Sequence, residues 1–571
     1  MFLKRAAALS LVVLVSSWVS GCSVFSSHNE TTKDARRAFE EGRFDDAIHA
    51  SDEDVNNKLD GLCFQFDRGV IAQVGGKYDA SIKEFERAEN TIEAFEDRGL
   101  TGGKVAEEAG SLAVNEKTIP YQGEAFEKIL VPVYLARDYM LEGKFDEAMV
   151  EARKIYFQQE QVRRLYEKDL ADTDKQAKDN KVDASKMGDV QSKVEYPADS
   201  LKSPESVYTI TFAHYITALI AEKNGNINDA YISMKDVAKI RPDIDFVQQD
   251  LVRWCEEYGS SEDQDTYKAF KVTAPGDKDG SVTLFFDCGW APHKKELKIL
   301  LPSFNTLGAI AIPLYERTPN PAAYAKLHVG DRVFATRIMS DVDAIAFKYH
   351  KNGLATRILK QIIRTTIKMA AGEAASYGAR KAGGGLAGAV AGIGVGVWNV
   401  ESEQADLRAW LTLPQTFQAV RAWVPEGTYP VKVELLSAQG GVLNTLDLGS
   451  ITVKPGSSRF ASARSLGTHL YGAMLKEAAD RPHKPGKKRA APVKSNELLT
   501  PDAKAPANPP AQPDATPPPA TTPPATNPPA DPGTPTEPKA DGPGMGPTAP
   551  ATPDAPKPEE KPQDKPEDKK E

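Results

Sequence analysis

A thiol and an imidazole lie five residues apart in Asp287-Cys288-Gly289-Trp290-Ala291-Pro292-His293, the spacing in this chain that most invites a chemical reading. A cysteine nucleophile needs a base within hydrogen-bond reach and a third group to orient that base, and a structural zinc needs four ligands. The segment offers neither a carboxylate at suitable spacing nor a second pair of ligands, and a Cys at a strand end ordinarily serves as a small buried hydrophobe. The eight histidines, His214, His293 and His350 among them, are scattered singly and form no i, i+4 zinc pair. No Gly-x-Ser-x-Gly elbow, Walker-type loop or dinucleotide fingerprint is present, and Gly383-Gly384-Gly385 follows a helical pattern and lacks the phosphate-loop Lys. The expectation is a non-enzymatic protein with no catalytic residue, no metal and no cofactor. An enzyme acting on cell wall or lipid through Cys288 or His293 ranks third, behind two binding readings. A net charge of -9, from 71 basic and 80 acidic side chains, argues against nucleic acid as a partner. The cluster Lys484 to Arg489 reads as a solvated linker run.

Cys22 carries a different chemistry. Lys4 and Arg5 precede an apolar run from Ala6 to Val15 and then Val19-Ser20-Gly21-Cys22, the order of a secretory signal. A Cys directly after Ser-Gly resembles the lipobox of bacterial lipoproteins. The resemblance implies a signal peptide over 1–21, acylation of the Cys22 thiol with palmitate-type chains, and a lipidated linker over 22–30. The alternatives are an uncleaved anchor and an ordinary signal with a chance Cys. Acyl chains contribute about 0.8 kcal/mol per buried methylene, so three of them anchor a chain without a membrane-spanning helix. Ser23 occupies the place where Asp signals inner-membrane retention in Gram-negative lipoproteins, which points to the outer membrane with the protein facing the periplasm. Cys63, Cys255 and Cys288 remain, an odd and widely spaced set that allows at most one bridge.

The elements that must position any site fall into three textures. Over 31–255 a Gly recurs with an aromatic or Ile two residues on, in Gly42-Arg43-Phe44, Gly76-Lys77-Tyr78, Gly143-Lys144-Phe145 and Gly225-Asn226-Ile227. The step from Gly42 to Gly76 is 34 residues, and that from Gly76 to Gly143 is 67, close to two such steps. That period belongs to the tetratricopeptide repeat. Gly69, Ser81, Phe85 and Ala88 around the second Gly, Ala136, Tyr139, Ala148 and Ala152 around the third, and Ala218, Ala221, Ala230 and Pro242 around the fourth fall where the repeat places its small and packing residues. A TPR-like α-solenoid is expected, with an irregular helical bundle as the alternative. The unit due near residue 110 is missing, and a charged insert separates the last two units from Lys168 to Ser200.

Near Gly280 the periodicity shifts to that of strands. Ser281 to Phe286, Glu296 to Leu301, Ala309 to Leu314 and Asp331 to Ile338 form a first group within 279–350. Leu407 to Leu413, Phe417 to Val424, Pro430 to Leu436 and Leu443 to Val453 form a second within 403–465. Together they read as a β-sandwich-like domain of immunoglobulin-like or transthyretin-like kind. Between the groups, 354–400 is helical. Arg357, Lys360, Arg364 and Lys368 share one face opposite Leu354, Ile358, Ile362, Ile363 and Ile367, a basic amphipathic helix suited to anionic lipid or an acidic partner. Gly384, Gly388, Gly392 and Gly396 then form a glycine zipper. A helical hairpin packed on the β-domain is expected, with membrane insertion, self-association or a Gly-rich loop as alternatives. The stretch 481–571, rich in Pro and Ala, reads as a disordered tail of at most about 250 Å reach. The fold class expected is therefore α+β and multidomain.

Tyr121 to Lys128, Gly143 to Arg153, Ala291-Pro292-His293-Lys294 and Asp406 to Pro414 together resemble a family of uncharacterised Gram-negative lipoproteins that join tetratricopeptide-like repeats to a C-terminal β-region. The resemblance spans roughly 31 to 465, implies outer-membrane placement and brings no catalytic residues. The leading functional expectation is a scaffold whose repeat surface, with Tyr78, Tyr139 and Tyr231 as candidate contacts, binds an envelope protein or peptide. The runner-up is a membrane-active or assembly protein working through the basic helix and the glycine zipper, with homo-oligomerisation as part of that alternative.

Overall fold

The computed structural model describes residues 28–100, 116–180, 186–302 and 307–474. The signal peptide, Cys22, the stretch near residue 110 and the tail over 481–571 lie outside the described residues. Residues 28–30, expected in the lipidated linker, are helical instead. His28 is buried with its Nε2 3.1 Å from Asp67, so a buried polar contact ties this end to the body.

Four helical hairpins follow, each turning on one of the recurring glycines. Helices α1 (Lys33–Glu40) and α2 (Phe44–His49) flank Gly42, α3 (Gly61–Val74) and α4 (Tyr78–Leu100) flank Gly76, α5 (Ala125–Leu141) and α6 (Phe145–Asp179) flank Gly143, and α7 (Thr211–Lys223) and α8 (Ile227–Ile240) flank Gly225. All four glycines have φ between 72° and 76°, the left-handed conformation that ends a helix without a Cβ clash. Helix α2 rests on α3, α4 on α5 and α6 on α7, so the hairpins stack in chain order. The small residues singled out from the sequence sit at these contacts: Ala88, Ala136, Ala148, Ala218, Ala221 and Ala230 are buried, and Ser81 Oγ lies 2.8 Å from the carbonyl of Gly69. The charged insert does not interrupt α6, which continues to Asp179. The helices also run past 255, through α9 (Asp245–Tyr258) and a short helix at Ser261–Tyr267.

Eleven described strands form three sheets. A five-stranded sheet has the order β11-β10-β1-β7-β6, a four-stranded sheet the order β5-β4-β8-β9, and β2 pairs with β3 alone. In chain order β1 is Asp279–Cys288, β2 His293–Pro302, β3 Leu307–Glu316, β4 Tyr324–Val329, β5 Arg332–Ala335, β6 Arg337–Asp341, β7 Thr416–Pro425, β8 Gly427–Leu436, β9 Val442–Val453, β10 Ser458–Leu466 and β11 His469–Met474. Central β1 runs parallel to β10 and antiparallel to β7, and nine of its ten residues are buried because it is covered on both faces. One face carries Phe285 and Asp287 toward the helices, where Phe212 of α7 meets Phe285 edge-on and stacks on Phe417 at 4.7 Å.

Several expectations are corrected. The run Asp331 to Ile338 is two strands that belong to different sheets, β5 and β6, divided at Thr336. Leu407 to Leu413 is not a strand, because its backbone donors go to buried carboxylates on the helices: Trp410 N to Glu127 at 2.8 Å and Thr412 N to Asp67 at 3.0 Å. Strands β4, β10 and β11 were not anticipated. Nor are the helical and β regions separate domains. One hydrophobic core runs from Phe39 in α1 to Leu470 in β11, and Trp410 stacks on Phe66 of α3 at 4.5 Å. The architecture is mixed α+β with helices laid on the five-stranded sheet.

The segment between β6 and β7 is α10 (Val342–Glu401). Its first half packs on β3, with Ile358 and Ile362 against Ile310 and Ile312. Lys368 Nζ reaches Ser402 Oγ at 3.1 Å and Glu403 Oε2 at 2.6 Å. In a straight helix the 34 residues from Lys368 to Ser402 would span about 50 Å. The helical path must therefore double back, and the midpoint of the two contacting positions is residue 385, in Gly383-Gly384-Gly385.

Candidate functional site

A cavity of about 460 Å³ lies between α6, α7 and α8. Met149, Ala152, Ile155 and Tyr156 come from α6, Ala213, His214, Thr217 and Ala221 from α7, and Ile232 and Asp236 from α8, with Tyr208 at one end. Its origin is local. Residues 213, 217 and 221 recur at every fourth place on α7 and are all small, which leaves a trough along that helix. The lining is mostly apolar, with Arg153, Asp229, Asp236 and Lys239 as the charged members. Asp236 is held by Lys239 at 2.6 Å, and burial raises the Asp229 carboxyl from its ordinary value. Burial also lowers the His214 imidazole and raises the Tyr208 hydroxyl. Such a trough can take apolar side chains of an extended segment and offers hydrogen-bonding groups at its wall.

None of the three tyrosines proposed from the sequence lines this groove. Tyr231 is buried, with its ring edge-on to Tyr267. Tyr139 Oη donates to Glu86 at 3.0 Å and ties one hairpin to the next. Tyr78 is half-buried beside a second cavity, between the Gly75-Gly76 turn and β10–β11. The residues that sequence reasoning missed are Tyr156, Tyr208 and the small-residue line on α7. The spacing of Ala213, Thr217 and Ala221 was the signal available.

The basic stripe of α10 is not free. Lys360 pairs with Asp169 at 2.6 Å, Arg357 reaches Glu124 at 3.4 Å, and Arg364 and Lys368 both hold Glu403, at 3.1 and 2.6 Å. Arg364 and Lys368 are buried, and burial lowers the Lys368 ammonium below its ordinary value. The face expected to meet lipid is thus ion-paired within the chain, because the isoleucines between its cations draw the helix down onto β2–β3. Gly384 lies beside the midpoint of the doubled-back path of α10, and Gly388, Gly392 and Gly396 follow it. Among the described residues no helix is long and apolar enough to cross a membrane.

Three of the segments that carry the family resemblance meet at one place. Glu124 accepts from Lys294 Nζ at 2.5 Å, and Lys294 also donates to the Arg408 carbonyl at 2.8 Å. Glu127 accepts from Tyr121 Oη at 2.6 Å and from Trp410 N. Burial alone would raise Glu124, but the Lys294 and Arg357 cations bring it down to about 2. Burial pushes Glu127 up to about 7 against the pull of Lys294. Each charge has an internal partner, so this cluster fastens the loop before α5 to β2 and to the segment before β7.

Cys288 is buried, its Sγ 3.7 Å from the Ala322 carbonyl, and burial raises its thiol pKa. His293 instead approaches Thr318 and Glu316, at 3.4 and 3.7 Å. Cys63, Cys255 and Cys288 are all free. Among the described residues no group of three or more His, Cys, Asp or Glu is placed to hold a metal. Compared with known proteins, the chain matches no family model, and no curated protein matches its sequence.

Proposed function

We propose that the chain is an outer-membrane lipoprotein, anchored through Cys22 and facing the periplasm, that acts without catalysis as a scaffold for an envelope protein or peptide. In this reading the four stacked hairpins are a TPR-like solenoid and the two larger sheets a sandwich-like platform beneath it. The observation that carries the reading is the apolar trough between α6, α7 and α8, whose small residues leave room for a guest segment. The partner is an extended segment with apolar side chains at alternate positions.

A photo-crosslinker at Thr217 in intact cells tests the groove. It should capture an envelope protein, and Ser233→Trp, which fills the trough from α8, should abolish capture. Capture that persists in the Trp variant, or that recovers cytosolic proteins alone, rules the reading out. Cys22→Ser should abolish both acyl labelling and sedimentation with membranes. A variant that is still processed and still sediments removes the anchor from the proposal.

A second reading, self-association or membrane insertion through the doubled-back part of α10, draws on the exposure of Tyr377, 70% accessible on the outgoing arm. Replacing 370–400 by a short Gly-Ser bridge separates the two. Under the scaffold reading the crosslinked partner, the oligomeric state and the behaviour on membrane extraction stay unchanged.

A further inference from the structure

Arg464 on β10 differs from the other buried arginines at the boundary between helices and sheet. Arg137 closes on both oxygens of Asp287, at 2.8 and 2.7 Å. Arg421 lies 2.9 Å from Asp250 and 2.8 Å from Glu222, and Arg408 holds Asp406 and Asp60 at 2.8 and 3.0 Å. Arg464 is 2% exposed and has no carboxylate of its own. Its Nη2 donates to the Thr412 carbonyl at 3.1 Å and more weakly to that of Leu413 at 3.5 Å, while Nε and Nη1 have no hydrogen-bond partner. The acidities follow: burial lowers all four, but carboxylates more than restore Arg137, Arg408 and Arg421, whereas Arg464 stays below its ordinary value. A guanidinium removed from water without a counter-charge is costly to keep.

Arg464, Arg137 and Asp287 line a cavity of about 290 Å³ between the Gly75-Gly76 turn and β10–β11. Two cations and one anion leave a single uncompensated positive charge there. Asp138, linked to Arg137 through Gln73, does not cancel it fully, because burial pushes its carboxyl up to about 7. The half-buried Tyr78, Phe44 and Tyr471 and the apolar Leu446 complete the walls. An uncompensated charge on the fully buried Arg464 and aromatic surface on the half-buried residues define the ligand between them. The volume is just under the lower bound of small-molecule pockets, about 300 Å³, which suits a small ligand.

We propose that this cavity binds a small monocarboxylate with a flat apolar body, the carboxylate against Arg464 and the ring beside Tyr78 and Tyr471. The site is independent of the groove between α6, α7 and α8. A monoanion restores neutrality, whereas a dianion such as phosphate would overshoot it and leave the aromatic wall uncovered.

Calorimetric titration of the full chain with benzoate and with benzamide tests the assignment, since the two share a ring and differ in charge. Benzoate should bind at one site at least tenfold more tightly than benzamide, and inorganic phosphate should not displace it. Arg464→Met keeps the reach of the side chain without the charge and should weaken benzoate at least tenfold. Ala473→Trp, at an exposed position on β11 that borders the cavity, should block binding with Arg464 intact, so the proposal stays open to refutation if the Met variant fails to fold. Acetyl-phenylalanine binding more tightly than benzoate assigns the carboxylate to a peptide end, and the reverse order assigns it to a free acid. Equal binding of benzoate and benzamide, no binding of either, displacement by phosphate, or unchanged affinity in both variants overturns the proposal.

Discussion

Asp138 shows how much of this protein's behaviour is set by single buried groups. Its side chain is inaccessible to solvent, with Gln73 Nε2 and Ser81 Oγ each 2.6 Å from one of its oxygens. Burial pushes its pKa up to about 7, so the folded protein binds this proton more tightly than the unfolded chain does. The stabilisation from the neutral carboxyl is complete below the unfolded pKa and is lost as pH rises from about 4 to about 7. Urea midpoints should therefore fall between pH 5 and pH 8. Asp138→Asn, whose amide can accept from Gln73 and donate to Ser81, should raise the pH 8 midpoint by on the order of 2 kcal/mol of stability and flatten that slope. An unchanged slope would mean that Asp138 is ionised in the fold. Nothing in Ala136-Arg137-Asp138-Tyr139 announces a buried acid, because the sequence does not say which face of α5 is covered on both sides.

At the scale of elements, two glycines seven residues apart do different work. Gly76 has φ +73° and open space where a Cβ would stand. Gly76→Ala should cost only the left-handed penalty, about 1 kcal/mol. Gly69 lies inside α3, where Ala would favour the helix, yet its Cβ would fall 2.6 Å from the ring of Phe85, which is fully buried. Gly69→Ala should cost about 2 kcal/mol through overpacking, and Phe85→Leu should recover part of it. Denaturant midpoints of the three variants check this, and a Gly69→Ala protein as stable as the parent would show that α3 and α4 can move apart. The turn glycines were legible because their requirement is local. The run Leu407 to Leu413 misled because its alternating apolar residues fit a strand equally well, and only the carboxylates of Glu127 and Asp67 draw its backbone elsewhere.

For the molecule as a whole, the helices and sheets share one core. Phe212 of α7 stacks on Phe417 of β7, Phe145 of α6 meets Phe460 of β10 at 6.3 Å, and the Arg137–Asp287 pair crosses the same boundary. Cutting the chain there would expose aromatic rings and strand half of each ion pair. A fragment covering 28–275 should therefore lack near-ultraviolet dichroism and bind a hydrophobic dye, while the full chain should show one calorimetric transition for its folded part. A fragment with native dichroism would restore the separate helical domain that the sequence implies.

The sequence by itself determined where helical hairpins turn, which small residues let them approach, where strands replace helices and which stretch of α10 is apolar. Each of these is a property of neighbours along the chain. The tertiary structure decided that Arg364 and Lys368 of α10 are buried against Glu403, that Trp410 plugs the helical layer from an irregular segment, that β1 lies parallel to β10, and that Arg464 is left without a carboxylate. Those outcomes depend on residues from tens to hundreds of positions apart competing for the same buried space, and no periodicity records which of them meet.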